Sequence, residues 1–269
     1  MRRRARALLG TLVEVRGECA DAARFDAAAD AAFAVIARVH ALMSFHDPAS
    51  DLRRLAGARA GERVTVHPHT AAVLRRAQRW TRLSDGAFDA GCGARAVAAG
   101  WLPGPRDAAA PGRLRVDAAL ELDGRAVRVR SPVWLDFGGI AKGYAVDRAV
   151  AALRRRGLAA GAVNAGGDLR VFGAREETVL VRSPFDPATL WPVAALRDGA
   201  CATSADGRIA GGPDDADAPR SVTVLAPTAC AADALTKIVW RRGAAAAGLL
   251  RDARARALVI RADGTAWRS

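Results

Sequence analysis

In "FDAAADAAFAVIARVHALM" the apolar positions Phe25, Ala29, Ala32, Ile36, Val39 and Met43 recur at intervals of four and three. That period gathers them on one face of a helix. Before it, Leu8 to Val15 reads as a strand. After it, "SFHDPASDL" reads as a loop, rich in the residues that form turns. "RVTVHP" predicts a short strand, and "TAAVLRRAQRWTRLS" a helix stopped by Asp85-Gly86. Residues 99–113 have the loosest composition. "LELDGRAVRVRSPVWLDF" alternates around Asp123-Gly124, a hairpin signal, and its end, "VWLDF", reads as a further strand. "IAKGYAVDRAVAALRRR" predicts a helix ending at Gly157. "GAVNAGGDLRVFG" and "TVLVRSP" read as strands and "GGPDDADAP" as an acidic loop. The strand "SVTVLAP", the helices "ACAADALTKIVW" and "AAAGLLRDARA", and the strand "ALVIRADG" complete the chain. Strands come in clusters with helices between the clusters, which favours an α+β fold over a βαβ repeat.

Composition changes the picture in three places. The formal charge is +13. Charge of that size suits nucleic acid, an anionic surface or a phosphate-bearing ligand. Yet aromatic residues make up only 5% and the arginines are scattered, so no nucleic-acid partner is expected. Cys19, Cys92, Cys201 and Cys230 lie far apart with no CxxC pair, against a zinc site or a disulfide framework. The start "MRRRARALLGTLVEV" lacks the long apolar run of a signal peptide, and no stretch has the length of a membrane span. The expectation is a soluble, cytoplasmic protein.

Third, the 41 basic residues include only two lysines, Lys142 and Lys237. Lys142 lies in "DFGGIAKGYAVD", residues 136–147, beside the single tyrosine, Tyr144. A strand, a glycine turn and a helix start leave backbone N–H groups without partners, and these attract phosphate. A tight structural turn explains the window equally well. Lys237 follows a second strand–turn–helix, in which Thr228 is a fair N-cap. Asp233, Thr236 and Lys237 share one face of that helix, opposite Leu235, Ile238 and Val239. Either they form a surface ion pair, or the two turns and the acid form a pyrophosphate site with a hard cation. "GAFDAG" and "VNAGGD" are glycine-bounded turns, the first also readable as a helix stop and the second as a bulge.

Taken in order, "LLGTLVEV", "MSFHDPASDLRRL", "GAFDAG", "LDFGGIAKGYAVD", "VNAGGDLRVFG", "CATSADG" and "SVTVLAPTACAADALTK" resemble the FAD:protein FMN transferases, the ApbE family. The resemblance implies a single α+β, T-fold-like domain over residues 5–269, with mixed and antiparallel sheets and packed helices. It implies a magnesium-dependent reaction in which a Thr or Ser hydroxyl of a target flavoprotein attacks the FMN phosphorus of FAD and AMP leaves. It assigns FAD binding to Leu9, His46, Ala87, Phe88, Asp89, Asp136 and Lys142. It assigns the metal to the Gly139 carbonyl, Asp233 and the Thr236 position, and the hydroxyl proton to Asp233 or Asp136. Two departures stand out: Lys237 replaces a metal-binding Thr, and residues 205–220 lack the family's His-x-x-Asp-Pro segment. They keep open a second reading, a catalytically impaired FAD- or FMN-binding homologue.

Overall fold

The structure is a computed structural model that describes residues 1–104, 110–186, 188–205 and 219–269. All of the acidic "GGPDDADAP" loop but its final Pro219, the heart of the loose 99–113 stretch and most of the 205–220 interval lie outside the described residues.

In chain order the elements are β1 (Arg2–Leu8), β2 (Thr11–Gly17), α1 (Ala22–Met43), α2 (Asp51–Ala56), β3 (Arg63–Thr65), α3 (Pro68–Leu83), α4 (Gly93–Ala98), α5 (Val116–Ala119), β4 (Leu120–Asp123) and β5 (Ala126–Val129). They continue with α6 (Ala141–Arg155), β6 (Gly161–Ala165), β7 (Asp168–Phe172), β8 (Glu176–Arg182), β9 (Leu190–Arg197), β10 (Ala200–Ala205), β11 (Pro219–Ala226), α7 (Ala229–Arg242), α8 (Ala247–Asp252), β12 (Arg256–Arg261) and β13 (Ala266–Arg268). The fold is α+β. It contains two compact units, Met1–Ala37 with Lys142–Ser269, and Arg38–Ala141.

The first unit is built on an eight-stranded sheet of order β1-β2-β6-β7-β10-β11-β12-β13, with every neighbouring pair antiparallel. Strands β8 and β9 form a separate two-stranded ribbon. Helix α7 lies against β10 and β11. The predicted face of α1 is buried throughout, from Phe25 to Met43. The single strand expected from Leu8 to Val15 is instead a hairpin: β1 pairs with β2, and the chain reverses at Leu9-Gly10, with φ of 56° and 69°. An apolar pair hides this turn, because a branched residue such as Leu seldom enters the left-handed region. A second two-residue turn, Gly166-Gly167, joins β6 to β7. "VNAGGD" is therefore a tight hairpin rather than a bulge, and it makes Asp168 the first residue of β7.

The second unit holds a three-stranded sheet of order β3-β5-β4, whose β4–β5 hairpin turns at Asp123-Gly124 as the alternation predicts. Helix α3 ends at Leu83 and the chain turns through Asp85 and Gly86, both at positive φ. The strand expected over "VWLDF" does not form. Its backbone is tied instead to α4 and the turn before it, through Gly93 N to Trp134 O at 2.9 Å and Asp136 N to Ala90 O at 2.9 Å. Gly93 permits this approach, since a Cβ there would meet Trp134 O at 2.5 Å. Val133, Trp134, Leu135 and Phe137 are buried all the same, so the apolar run marked burial and not a ladder.

Candidate active site

Helices α6 and α7 exchange carboxylates. Asp147 of α6 accepts from the backbone N–H of Ala229 and of Cys230, both at 3.0 Å, at the start of α7. Thr228 adds the expected N-cap, its hydroxyl oxygen accepting from Ala231 N. In return Asp233 Oδ2 of α7 accepts from Gly143 N, in the first turn of α6, at 3.3 Å. The helices meet closely here, because a Cβ on Gly143 would lie 2.2 Å from Ala229 O. The N–H groups at the start of α7, which the sequence offered as phosphate donors, are thus held by this chain's own acid. Sequence reasoning missed Asp147. Its signal was present: Gly143 and Asp147 stand one helical turn apart on one face.

The two lysines sit in one cluster of this unit. Lys142 Nζ donates to Asp168 Oδ2 at 2.9 Å. Lys237 Nζ lies 2.8 Å from Asp233 Oδ1, 2.8 Å from Ser204 Oγ and 3.0 Å from Thr236 Oγ1. Asp233 and Thr236 are 0% exposed and Asp168 1%. Leu235, Ile238 and Val239 are equally buried, so α7 is covered on both faces and the Asp233–Lys237 pair is no surface pair. Asp168 and Ser204 were not singled out from the sequence. A pair formed across 26 residues leaves no periodic trace, and the glycines before Asp168 drew the attention instead.

Burial dictates the electrostatics of the cluster. For Asp233, burial favours the neutral acid, but the Lys237 and Lys142 ammoniums outweigh it and hold the carboxyl below its ordinary range. For Asp168, burial and then the Asp233 charge push the carboxyl up to about 7, against the pull of both lysines. Lys142 is held above its ordinary value: burial works against its charge, and Asp233 with Asp168 prevails. The same burial, with the Asp168 charge, pushes the Cys201 thiol up to about 12. None of the four cysteines is in a disulfide: Cys201 and Cys230 are buried, whereas Cys19 and Cys92 are partly exposed.

The donor set can be tested against magnesium. That ion demands oxygens at about 2.0–2.1 Å in near-octahedral geometry. Here Asp233 Oδ1 holds an ammonium and Oδ2 a backbone N–H. The Thr236 hydroxyl donates to the Asp233 carbonyl oxygen at 2.7 Å and faces Ser204 Oγ at 2.8 Å. The oxygens that this unit would offer are taken, and the set does not fit magnesium while Lys237 stands in it. Among the described residues no group of three or more His, Cys, Asp and Glu side chains is arranged to hold a metal ion. The Gly139 carbonyl, the remaining ligand of the resemblance, belongs to the other unit.

The remaining assigned residues are placed as follows. Leu9 occupies the strained β1–β2 turn, at positive φ that a Leu adopts at a cost of roughly 1–2 kcal/mol. In the second unit His46 is exposed, next to buried Phe45. Phe88 is buried, and its N–H donates to Ser84 Oγ at 2.9 Å. Asp89 Oδ1 accepts from Gly91 N at 2.9 Å and Val116 N at 3.0 Å, which fixes the loop after α3. Asp136 Oδ1 accepts from Gly138 N at 2.7 Å and so shapes the glycine turn. Ala87 and Gly139 are half-buried. Asp89 and Asp136 therefore both have structural work within their own unit.

Comparison with known proteins gives this arrangement a context. The crystal structure of an ApbE protein from Thermotoga maritima superposes with a TM-score of 0.85 at 26% identity, covering 100% of this chain and 96% of that one. A flavin transferase ApbE from Vibrio cholerae has the same fold, with a TM-score of 0.82 at 20% identity over 99% of this chain and 96% of that one. A protein of Rhodobacter capsulatus named FAD:protein FMN transferase is 32% identical over 157 residues. That match takes in 52% of this chain but only 29% of the relative's length. The ApbE family profile matches residues 9–259, nearly the whole of the chain, and the chain belongs to the ApbE family.

Proposed function

We propose that this chain is a FAD:protein FMN transferase, with residues 5–269 acting as one ApbE-like functional domain. The observation that carries the reading is the family match over residues 9–259, which takes in both lysines and all the assigned carboxylates. The substrates are FAD and a target flavoprotein that presents a Thr or Ser hydroxyl. The hydroxyl oxygen bonds to the FMN phosphorus, and the bond from that phosphorus to the bridging oxygen breaks. The electron pair leaves with AMP, and the hydroxyl proton passes to a carboxylate. Such a transfer depends on positioning and on neutralising charge more than on covalent help from the protein.

In this reading the second unit holds the flavin: His46 stacks on the ring, Ala87 and Phe88 belong to the adjoining loop, and Asp89 fixes that loop through Gly91 N and Val116 N. Lys142 supplies positive charge to the pyrophosphate; its raised pKa keeps it an ammonium at any working pH. Of the two carboxylates considered for the proton, Asp136 suits the role better. Asp233 is bound on both oxygens and held below the ordinary carboxyl range, which makes it a poor base. No step passes through magnesium, because Asp233 and Thr236 hold Lys237.

The test is incubation with FAD and a candidate acceptor, followed by chromatography for AMP and mass measurement of the acceptor. AMP with a mass gain of one FMN supports transfer. AMP without a gain means FAD hydrolysis. Quenched flavin fluorescence with no AMP selects the binding homologue, a reading favoured by the closed Asp233–Lys237 pair.

A further inference from the structure

Three oxygens surround Lys237 Nζ at 2.8, 2.8 and 3.0 Å, and they come from Asp233, Ser204 and Thr236. An ammonium has three N–H donors and no acceptor, so these three oxygens saturate it. The family resemblance gives Asp233 and the Thr236 position to a metal ion, and Lys237 itself stands where the family has a metal-binding Thr. The third oxygen, that of Ser204, comes from β10, which adjoins α7. The Lys237 side chain is 22% exposed and that of Asp233 0%, so the carboxylate is buried and its ammonium partner reaches partly to solvent.

The charges agree with the geometry. Lys142 and Lys237 face Asp168 and Asp233, one ammonium to each acidic side chain. Adding a divalent ion would place two more positive charges against an ammonium already 2.8 Å from the shared oxygen. Arg cannot do what Lys237 does: its planar fork does not fill a compact three-oxygen pocket. That explains why a chain whose basic residues are nearly all Arg keeps a Lys at position 237.

We infer that Lys237 is a resident cation: its ammonium stands where a divalent ion would bind, so this chain works without metal. Lys237 holds Asp233 through Oδ1, and the other oxygen of that carboxylate accepts from the Gly143 N–H at the start of α6. It is a positioning residue, since its donors are spent within the protein. The charge presented to a phosphate is that of Lys142. The catalytic half of this inference rests on the proposed FMN transfer; the binding half does not.

Two measurements test it. First, Mn2+ is titrated into the chelator-treated wild-type protein without FAD, and free Mn2+ is read by electron paramagnetic resonance. No saturable binding is expected to wild type, and one bound ion to Lys237→Thr. Saturable binding to wild type overturns the inference. So does a folded Lys237→Thr variant that still ignores Mn2+, because the ammonium is then not what excludes the metal. If that variant does not fold, the wild-type titration decides alone. Second, AMP release from FAD is followed with EDTA and with Mg2+. The wild-type rate is expected to be the same in both, while Lys237→Thr loses activity in EDTA and regains it in Mg2+. Collapse of the wild-type rate in EDTA overturns the inference. If no AMP forms under any condition, the transferase reading falls, and the Mn2+ titration still decides the identity of the cation.

Discussion

The two lysine–aspartate pairs have nearly the same geometry, 2.9 Å for Lys142–Asp168 and 2.8 Å for Lys237–Asp233, and both carboxylates are buried. Their chemistry is opposite. Asp168 is pushed up to about 7, whereas Asp233 is held below the ordinary range. The difference lies in how each charge is answered. Asp233 receives the Lys237 ammonium, the field of Lys142 and the Gly143 N–H, and these outweigh its burial. Asp168 has one donor on Oδ2 and a like charge, Asp233, close by. An ion-pair distance alone does not say whether a buried acid is comfortable; the sum of its partners does.

Cutting each pair should expose the contrast most sharply. Lys237→Met leaves Asp233 buried without its principal partner, and removing one member of a buried pair costs about 3–5 kcal/mol. Lys142→Met should cost clearly less at pH 6, because Asp168 can take up a proton there. Its cost should grow as pH rises past 7. Urea unfolding of both variants at pH 6 and 8 measures this, and equal losses at pH 6 would erase the distinction.

The pH dependence of stability isolates Asp168. Its pKa rises from 3.8 to about 7 on folding, so the native state holds a proton that the unfolded chain releases between those values. Stability from this group is present at low pH and is lost as pH rises through that window. Asp168→Asn should flatten this fall between pH 4 and 7. Asp233 works the other way: its lowered pKa contributes stability above the unfolded value, lost as the medium is acidified below it.

Ligand binding separates the lysines by role. Lys142→Ala should weaken FAD by about 1.5–3 kcal/mol, the range for hydrogen bonds to charged groups. Riboflavin, which has no phosphate, should bind as before. Fluorescence titration with both ligands checks this, and equal losses would make Lys142 structural. A smaller effect belongs to Asp147, which caps α7. Asp147→Ala should cost about 1 kcal/mol, as cap removals do. It should also perturb FAD binding less than Lys142→Ala does.

Parts of this were legible in the sequence because they are periodic or local. The α1 face from Phe25 to Met43 follows the helical repeat, and Asp123-Gly124 announces its own hairpin. Asp233 and Lys237 were visible as an i, i+4 pair, but not their burial, since both faces of α7 are covered and only one is apolar. Strand β10, with the small residues "CATSA", shows no alternation of large side chains, so it went unread and Ser204 with it. Asp51 was read as part of a loop, yet it begins α2. It also holds the start of α3 through His67 N at 2.8 Å and Thr70 Oγ1 at 2.7 Å, a tie made across the chain.

The scarcity of lysine has a practical consequence. Protein grown on 15N-lysine carries isotope in the side chains of two residues only, and both belong to the buried cluster. Each ammonium becomes its own reporter, observed without assignment of the remaining chain. Lys237, enclosed by three acceptors, should exchange its protons with water slowly and give a sharp resonance. Lys142, with one carboxylate partner and a third of its side chain open to solvent, should give a broader one. Two spectral lines would then record which cation a ligand touches.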